Sequence, residues 1–284
     1  MKDKNKDKPL SEVTALVLKA EEAVEVFDGS SFEEFEGQGL ENVTAADKAI
    51  PRLYLLQKTS PQCDEDSDGY VPGAKKGMLW NSLTGELHDA QGEGVRILPV
   101  YMHKEYVERD PDTNKFVATH PLNTPLLAGC TVNDKRIHIL PNGNKLMETA
   151  NHFVVVLAAA GASWGIISMA SSAMKVSKQL IGLADGLRLP RKNGKGKFKP
   201  PSFSHVYLLK AVPKSSETFN WMGWELTAEG AVQDADAFAF AAEFSKALMI
   251  GAVKAAPEVE QTEGVHDAEF VDNGTAGTDK EVPF

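Results

Sequence analysis

Cysteine is nearly absent from this chain. Cys63 and Cys130 are too few for a disulfide framework, and no Cys/His spacing reads as a zinc site. That fits a reducing compartment. Long apolar runs are also missing: none spans a bilayer, and none follows the charged leader Met1 to Lys8 as it would in a signal peptide. The expected setting is therefore the cytoplasm, with no membrane partner. The motifs of common chemistries are absent too. Asn193-Gly194-Lys195-Gly196-Lys197 lacks the spacing of a phosphate loop, no G-x-S-x-G elbow occurs, and seven histidines contain no H-E-x-x-H pair. Glu108, Asp110 and Asp112 sit in a plain Pro turn rather than a metal-binding nuclease arrangement. Asp64-x-Asp66-x-Asp68-Gly69 opens like an EF-hand loop, but Lys75 stands where the bidentate acid belongs, and a cation there repels calcium. A protein that is not an enzyme, with no cofactor and no metal, is expected.

What is present is a strong segregation of charge. The net charge is −10, yet Thr149 to Ser216 holds ten bases and one acid, Asp185. Six of those bases lie between Arg188 and Lys199, around Gly194 and Gly196. An acidic protein with one basic block points to a focused anion site. The last 28 residues, 257–284, carry eight acids and one base, Lys280, and have no apolar periodicity. Too little apolar surface can be buried there to offset chain entropy, so disorder is expected. This tail nevertheless ends on Val282-Pro283-Phe284, a small apolar plug suited to a pocket on a partner.

Periodicity along the chain predicts a mainly β protein with helices (α+β). Residues 1–47 read as a flexible acidic arm with a helix possible at Ser11 to Phe27. Residues 48–256 read as one domain, and 257–284 as the tail. Strands are predicted at Ile50 to Gln57, in a hairpin about Thr84-Gly85, and at Val95 to Val107, where Pro99 argues for an edge or a bulge. Residues 111–150 look irregular, with one short strand at Lys135 to Leu140. Strands follow at His152 to Leu157 and Trp164 to Met169, then a helix from Ser171 or Ser172 to about Leu187. Its apolar face is Ala173, Val176, Leu180, Ala184 and Leu187. Arg188 to Lys199 is read as a loop. Strands at Ser204 to Val212 and Thr218 to Leu226 precede a helix from Asp234 to about Ile250. From residue 95 the order is three strands, a helix and two strands. This is the order of an OB fold, a partly open five-stranded barrel, here with extra N-terminal strands and a C-terminal helix.

OB folds commonly bind single strands, stacking bases on aromatics beside cations. The candidate DNA-binding residues are Arg52, Lys58, Tyr101, Lys104 and Tyr106, then Lys175 and Lys178 on the helix. The basic loop adds Arg188, Arg191, Lys192, Lys195, Lys197 and Lys199, and the last strands add Tyr207, Lys210, Trp221 and Trp224. Period-2 alternation puts Phe219 and Trp221 on one face and Trp224 on the other, so only one of the two tryptophans faces a ligand.

The ending Asp279-Lys280-Glu281-Val282-Pro283-Phe284 resembles the tail tip of bacterial and phage single-stranded DNA-binding proteins, departing from it at Lys280. The resemblance implies a phage-type protein of the host cytoplasm. Such a protein coats and protects single-stranded DNA in replication and recombination, without sequence specificity. It recruits partner proteins through Asp279, Glu281, Val282, Pro283 and Phe284, and a homo-oligomer is compatible with that role. Two alternatives stay open: a strand-annealing recombination protein, and a virion structural or assembly protein.

Overall fold

The fold is that of a computed structural model describing residues 38–39, 49–133, 137–159, 161–217 and 219–250, together with the backbone pairing of Lys254–Ala255. The chain separates into two units, Met1–Thr44 and Ala45–Phe284. Of the first, only Gln38 and Gly39 are described; every element named below belongs to the second. The expected N-terminal helix and acidic tail lie outside the described residues.

The strands are β1 (Ala49–Ile50), β2 (Leu53–Leu55), β3 (Leu79–Asn81), β4 (Leu87–His88), β5 (Val95–Arg109), β6 (Phe116–Pro121), β7 (Thr131–Val132), β8 (His138–Ile139), β9 (Lys145–Ala158), β10 (Gly161–Ala170), β11 (Leu189–Pro190), β12 (Lys197–Phe198), β13 (His205–Ser215), β14 (Asn220–Ala231) and β15 (Lys254–Ala255). The α-helices among the described residues are α1 (Met174–Gly186) and α2 (Ala235–Met249). The protein is mainly β with helices. Its eight-stranded sheet runs β14-β13-β5-β9-β8-β7, with β10 also on β9 and β6 also on β5. The long strands β5, β9 and β10, then α1, then β13 and β14 appear in the predicted chain order.

β5 is central because two ladders share it. Val95 to Ile97 pair with β13, and Arg96 to Arg109 pair with β9. Pro99 marks a bulge and not an edge: Pro99 pairs with Val154 and Tyr101 with Phe153, leaving Val100 unpaired. Residues 111–150 are more regular than expected. β6, β7, β8 and the first residues of β9 extend the sheet into an arm, which their scattered apolar residues did not signal.

The curled sheet has two dry faces. Its inner face packs Val95, Ile97, Val154, Val156, Ile167, Met169, Leu209 and Leu226 around Tyr207 and Trp224. Its outer face is covered by α2, which buries Ala237, Ala241 and Phe244 against Leu98, Phe153, Val155 and Ile166. Asp234 caps α2 by accepting from the N–H groups of Asp236 and Ala237. The edge strands β10 and β14 do not pair with each other. Two covers touch both edges. One is α1, whose Leu180 is buried with Val176 and Ala184 beside it. The other is the pad formed by β2, β3 and β4. There Ile166 N–H donates to the Pro51 carbonyl at 2.9 Å, and the Gln57 side chain exchanges two bonds with the Met222 backbone at 2.8 and 3.1 Å.

α1 is also tied to β9 by a buried polar contact, His152 Nε2 to Ser177 Oγ at 2.8 Å. Burial pushes the His152 imidazole from its usual 6.5 down to about 4. The unfolded chain takes this proton near pH 6.5 and the folded one only near pH 4. Stability from this site is thus full above pH 6.5 and is lost as pH falls toward 4, by up to roughly 3 kcal/mol. Denaturant titrations over that range are expected to show the loss, and His152→Leu to flatten it.

Close packing at the pad gives a second expectation. A Cβ on Gly165 would come within 2.6 Å of the Leu53 side chain, whereas one on Gly182, on the exposed face of α1, meets open space. Gly165→Ala should destabilise by about 1–3 kcal/mol. Gly182→Ala should stabilise by about 0.4–1 kcal/mol. Urea unfolding midpoints check both.

Candidate nucleic-acid interface

The basic segment read as a loop is a hairpin. Leu189 pairs with Phe198 and Pro190 with Lys197. Its tip is closed by Arg191 N–H to the Gly196 carbonyl at 3.1 Å and Gly194 N–H to the Arg191 carbonyl at 2.9 Å. Gly194 and Gly196 adopt positive φ, +69° and +78°, which the turn requires and which residues with a Cβ resist. The Arg191 guanidinium lies over the Phe198 ring, 5.9 Å from its centroid, which props the cation on the hairpin face.

The two ends of this basic segment are anchored. Arg188 donates to the Asp185 and Leu187 carbonyls at 2.6 and 2.7 Å, satisfying the C-terminal end of α1. Lys199 pairs with the Asp185 carboxylate, and that hydrogen bond, followed by the charge of Lys199, holds the carboxyl below its ordinary range. The one acid of the basic segment is thereby engaged. Arg191, Lys192, Lys195 and Lys197 are exposed and have no acidic partner among the described residues. Lys175 and Lys178 add exposed charge on α1, which at 13 residues is about 20 Å long.

Beyond the hairpin, Pro200 is buried and the short 3-10 turn Ser202–Ser204 packs on β5. The Ser202 hydroxyl donates to the Val100 carbonyl at 3.3 Å. This seats the end of the hairpin beside the bulge. Past the bulge, the outer face of β5 presents Tyr101, His103 and Glu105. Glu105 belongs to a polar chain across four strands or their ends. Asn151 Nδ2 donates to Glu105 at 2.6 Å, Ser168 Oγ donates to Asn151 at 2.7 Å, and Arg52 donates to Ser168 at 3.1 Å. The His103 hydrogen bond, together with Asn151 and the charges of His103 and Arg52, outweighs desolvation and keeps the Glu105 carboxyl low.

Several expected contacts are corrected by burial. Tyr207, 1% exposed, and Trp224, 6% exposed, are core residues, because they share the inward phase of their strands with Leu209 and Leu226. Arg52, 7% exposed, spends its guanidinium on Ser168 inside the protein. Trp221 is half-buried on the outward face, directly opposite Lys214, as the alternation required. Lys104 is paired with Glu148 at 2.6 Å, and Tyr106 meets His138 edge-on at 5.5 Å on the same side of the arm. Lys58 and Lys210 are exposed, the latter opposite Glu225. The tip residues Asp279, Glu281, Val282, Pro283 and Phe284 lie outside the described residues. Phe153 and Phe198, which support Tyr101 and Arg191, were missed. Only strand register reveals them.

The acidic alternatives resolve into turn chemistry. Asp64 accepts from the Asp66 N–H, and Asp110 accepts from Thr113 and the Asp112 N–H. Glu108 is buried. That burial raises its pKa, but donors on Asn144 and His120 outweigh it and hold the carboxyl below its usual range. Among the described residues no three His, Cys, Asp or Glu side chains converge as metal ligands, and no helix is long and apolar enough to cross a membrane.

In comparison with known proteins, a family model described as Pam3 phage gp34-like protein matches residues 20–254. No curated protein and no solved structure matches the chain.

Proposed function

The chain belongs to the Pam3 phage gp34-like family, and from that premise we propose that it is a non-catalytic single-stranded DNA-binding protein, without sequence preference. It coats strands exposed in phage replication or recombination and recruits partner proteins through its C-terminal tip. The observation that carries this reading is the glycine-turned hairpin. Four of its cations have no acid to neutralise them among the described residues, on a chain whose net charge is −10. Such an arrangement favours a polyanion that can lie along the hairpin and α1, with each phosphate neutralised releasing a counterion. The curled, mainly β body with a helix between its third and fourth long strands supports an OB-type interpretation, in which single strands are a common ligand.

The tail fits the same reading. Residues 257–284 carry a net charge of −7, and their tethering gives a high effective concentration near the hairpin. They would compete with DNA for its cations and become available to partners once displaced.

Fluorescence anisotropy with labelled oligothymidylate and with duplex of equal length, over a salt series, tests the proposal. Tighter binding to the single strand is expected. Replacing Arg191, Lys192, Lys195 and Lys197 together by Ala should cut low-salt affinity by about 10- to 1,000-fold and flatten the salt slope by about 0.7 for each phosphate no longer neutralised. Weak binding to both nucleic acids would favour a virion role and reject the proposal.

Deleting residues 257–284 should tighten binding at low salt and leave it unchanged at high salt, where charges are screened. Unchanged or weaker low-salt affinity, in the same anisotropy measurement, would count against tail competition.

A further inference from the structure

The β5 bulge changes which residues face outward. Leu98, before it, lies in the outer cluster under α2, so strict alternation would send Val100 and Met102 outward and Tyr101 inward. With Val100 unpaired, Tyr101 falls opposite Phe153 and His103 opposite Asn151, and both turn to the outer face. There Tyr101 stays 49% exposed although it adjoins a well-packed cluster.

Three rings meet at this point. The Tyr101 and His103 centroids are 6.5 Å apart with planes 29° from parallel. Phe153 closes the back, 5.6 Å from Tyr101 and 6.0 Å from His103, tilted to both. Two parallel stacking steps span about 6.8 Å, from the 3.4 Å rise of one base on the next. The centroid spacing of Tyr101 and His103 is comparable to that of two rings with one flat heterocycle between them. Ser202, bonded to the carbonyl of Val100, is three residues beyond Lys199. Three extended residues reach at most about 11 Å, so Lys199, at the base of the hairpin, lies within that reach of Ser202 and the bulge it is bonded to.

Resting on the single-strand reading above, we propose that Tyr101 and His103, backed by Phe153, form a stacking slot for one unpaired nucleobase whose neighbouring phosphates lie on the Arg188–Lys199 hairpin. The slot supplies preference for bases over bare backbone, and the hairpin supplies charge. A paired base cannot enter, because both its faces are already stacked in the duplex. Stacking on ring faces is sequence-tolerant, because every base has a π-face.

The test compares oligothymidylate with an abasic sugar–phosphate oligomer of equal length and charge. The full-length protein should bind the base-containing strand on the order of tenfold more tightly. Tyr101→Ala should remove most of that preference, and Tyr101→Leu, which keeps an apolar contact with Phe153 but has no ring, should do the same. His103→Ala should reduce it. Salt slopes should not change, since the hairpin cations stay in place. Equal binding of the two oligomers by the unaltered protein, or a full preference retained by Tyr101→Leu, would overturn the slot while leaving the hairpin reading intact. Failure to bind either oligomer would overturn both.

Discussion

The body depends on how two sheet edges are kept from water and from each other's neighbours. β10 and β14 end a curled sheet with unpaired backbone groups, and backbone N–H and C=O must find partners when covered. α1 and the N-terminal pad share that task. α1 contributes side chains alone, through Leu180, Val176 and Ser177, while the pad contributes backbone bonds at Pro51 and the two-ended amide of Gln57. Glycine at 165 lets Leu53 settle directly on β10. The early part of this unit is therefore integral to the core and not an appendage to it.

Charge is arranged with similar restriction. An acidic surface repels a polyanion, so on a chain of net charge −10 an anion meets least repulsion where acids are absent or already satisfied. Asp185 is satisfied by Lys199, and its neutralised charge leaves the hairpin uniformly positive. Anchoring at Arg188 and Ser202 limits how far the hairpin can swing.

Much of the fold was legible because alternation and helical spacing are local signals. The five long strands, α1 with its buried face and α2 with its Asp234 cap all follow from them. The arm was not legible: β6 to β8 are short and their partners lie on strands distant in sequence, so nothing local marks them. Alternation separated Trp221 from Trp224 but could not say which was inside; Met222 and Leu226 share the phase of Trp224 and were the available clue. Arg52 offered no such clue, since its burial depends on Ser168 arriving from β10. The basic segment was found by composition, whereas its hairpin form depends on two residue pairs and two left-handed glycines.

The unpaired residue at Val100 behaves as a phase shift in the strand. Removing it by a one-residue deletion would exchange the two sheet faces for everything from Tyr101 to Arg109, bringing Lys104 and Tyr106 to the outer face in place of Tyr101 and His103. A single insertion or deletion here thus re-phases every residue from Tyr101 to Arg109 at once, whereas a substitution along the same strand alters one position.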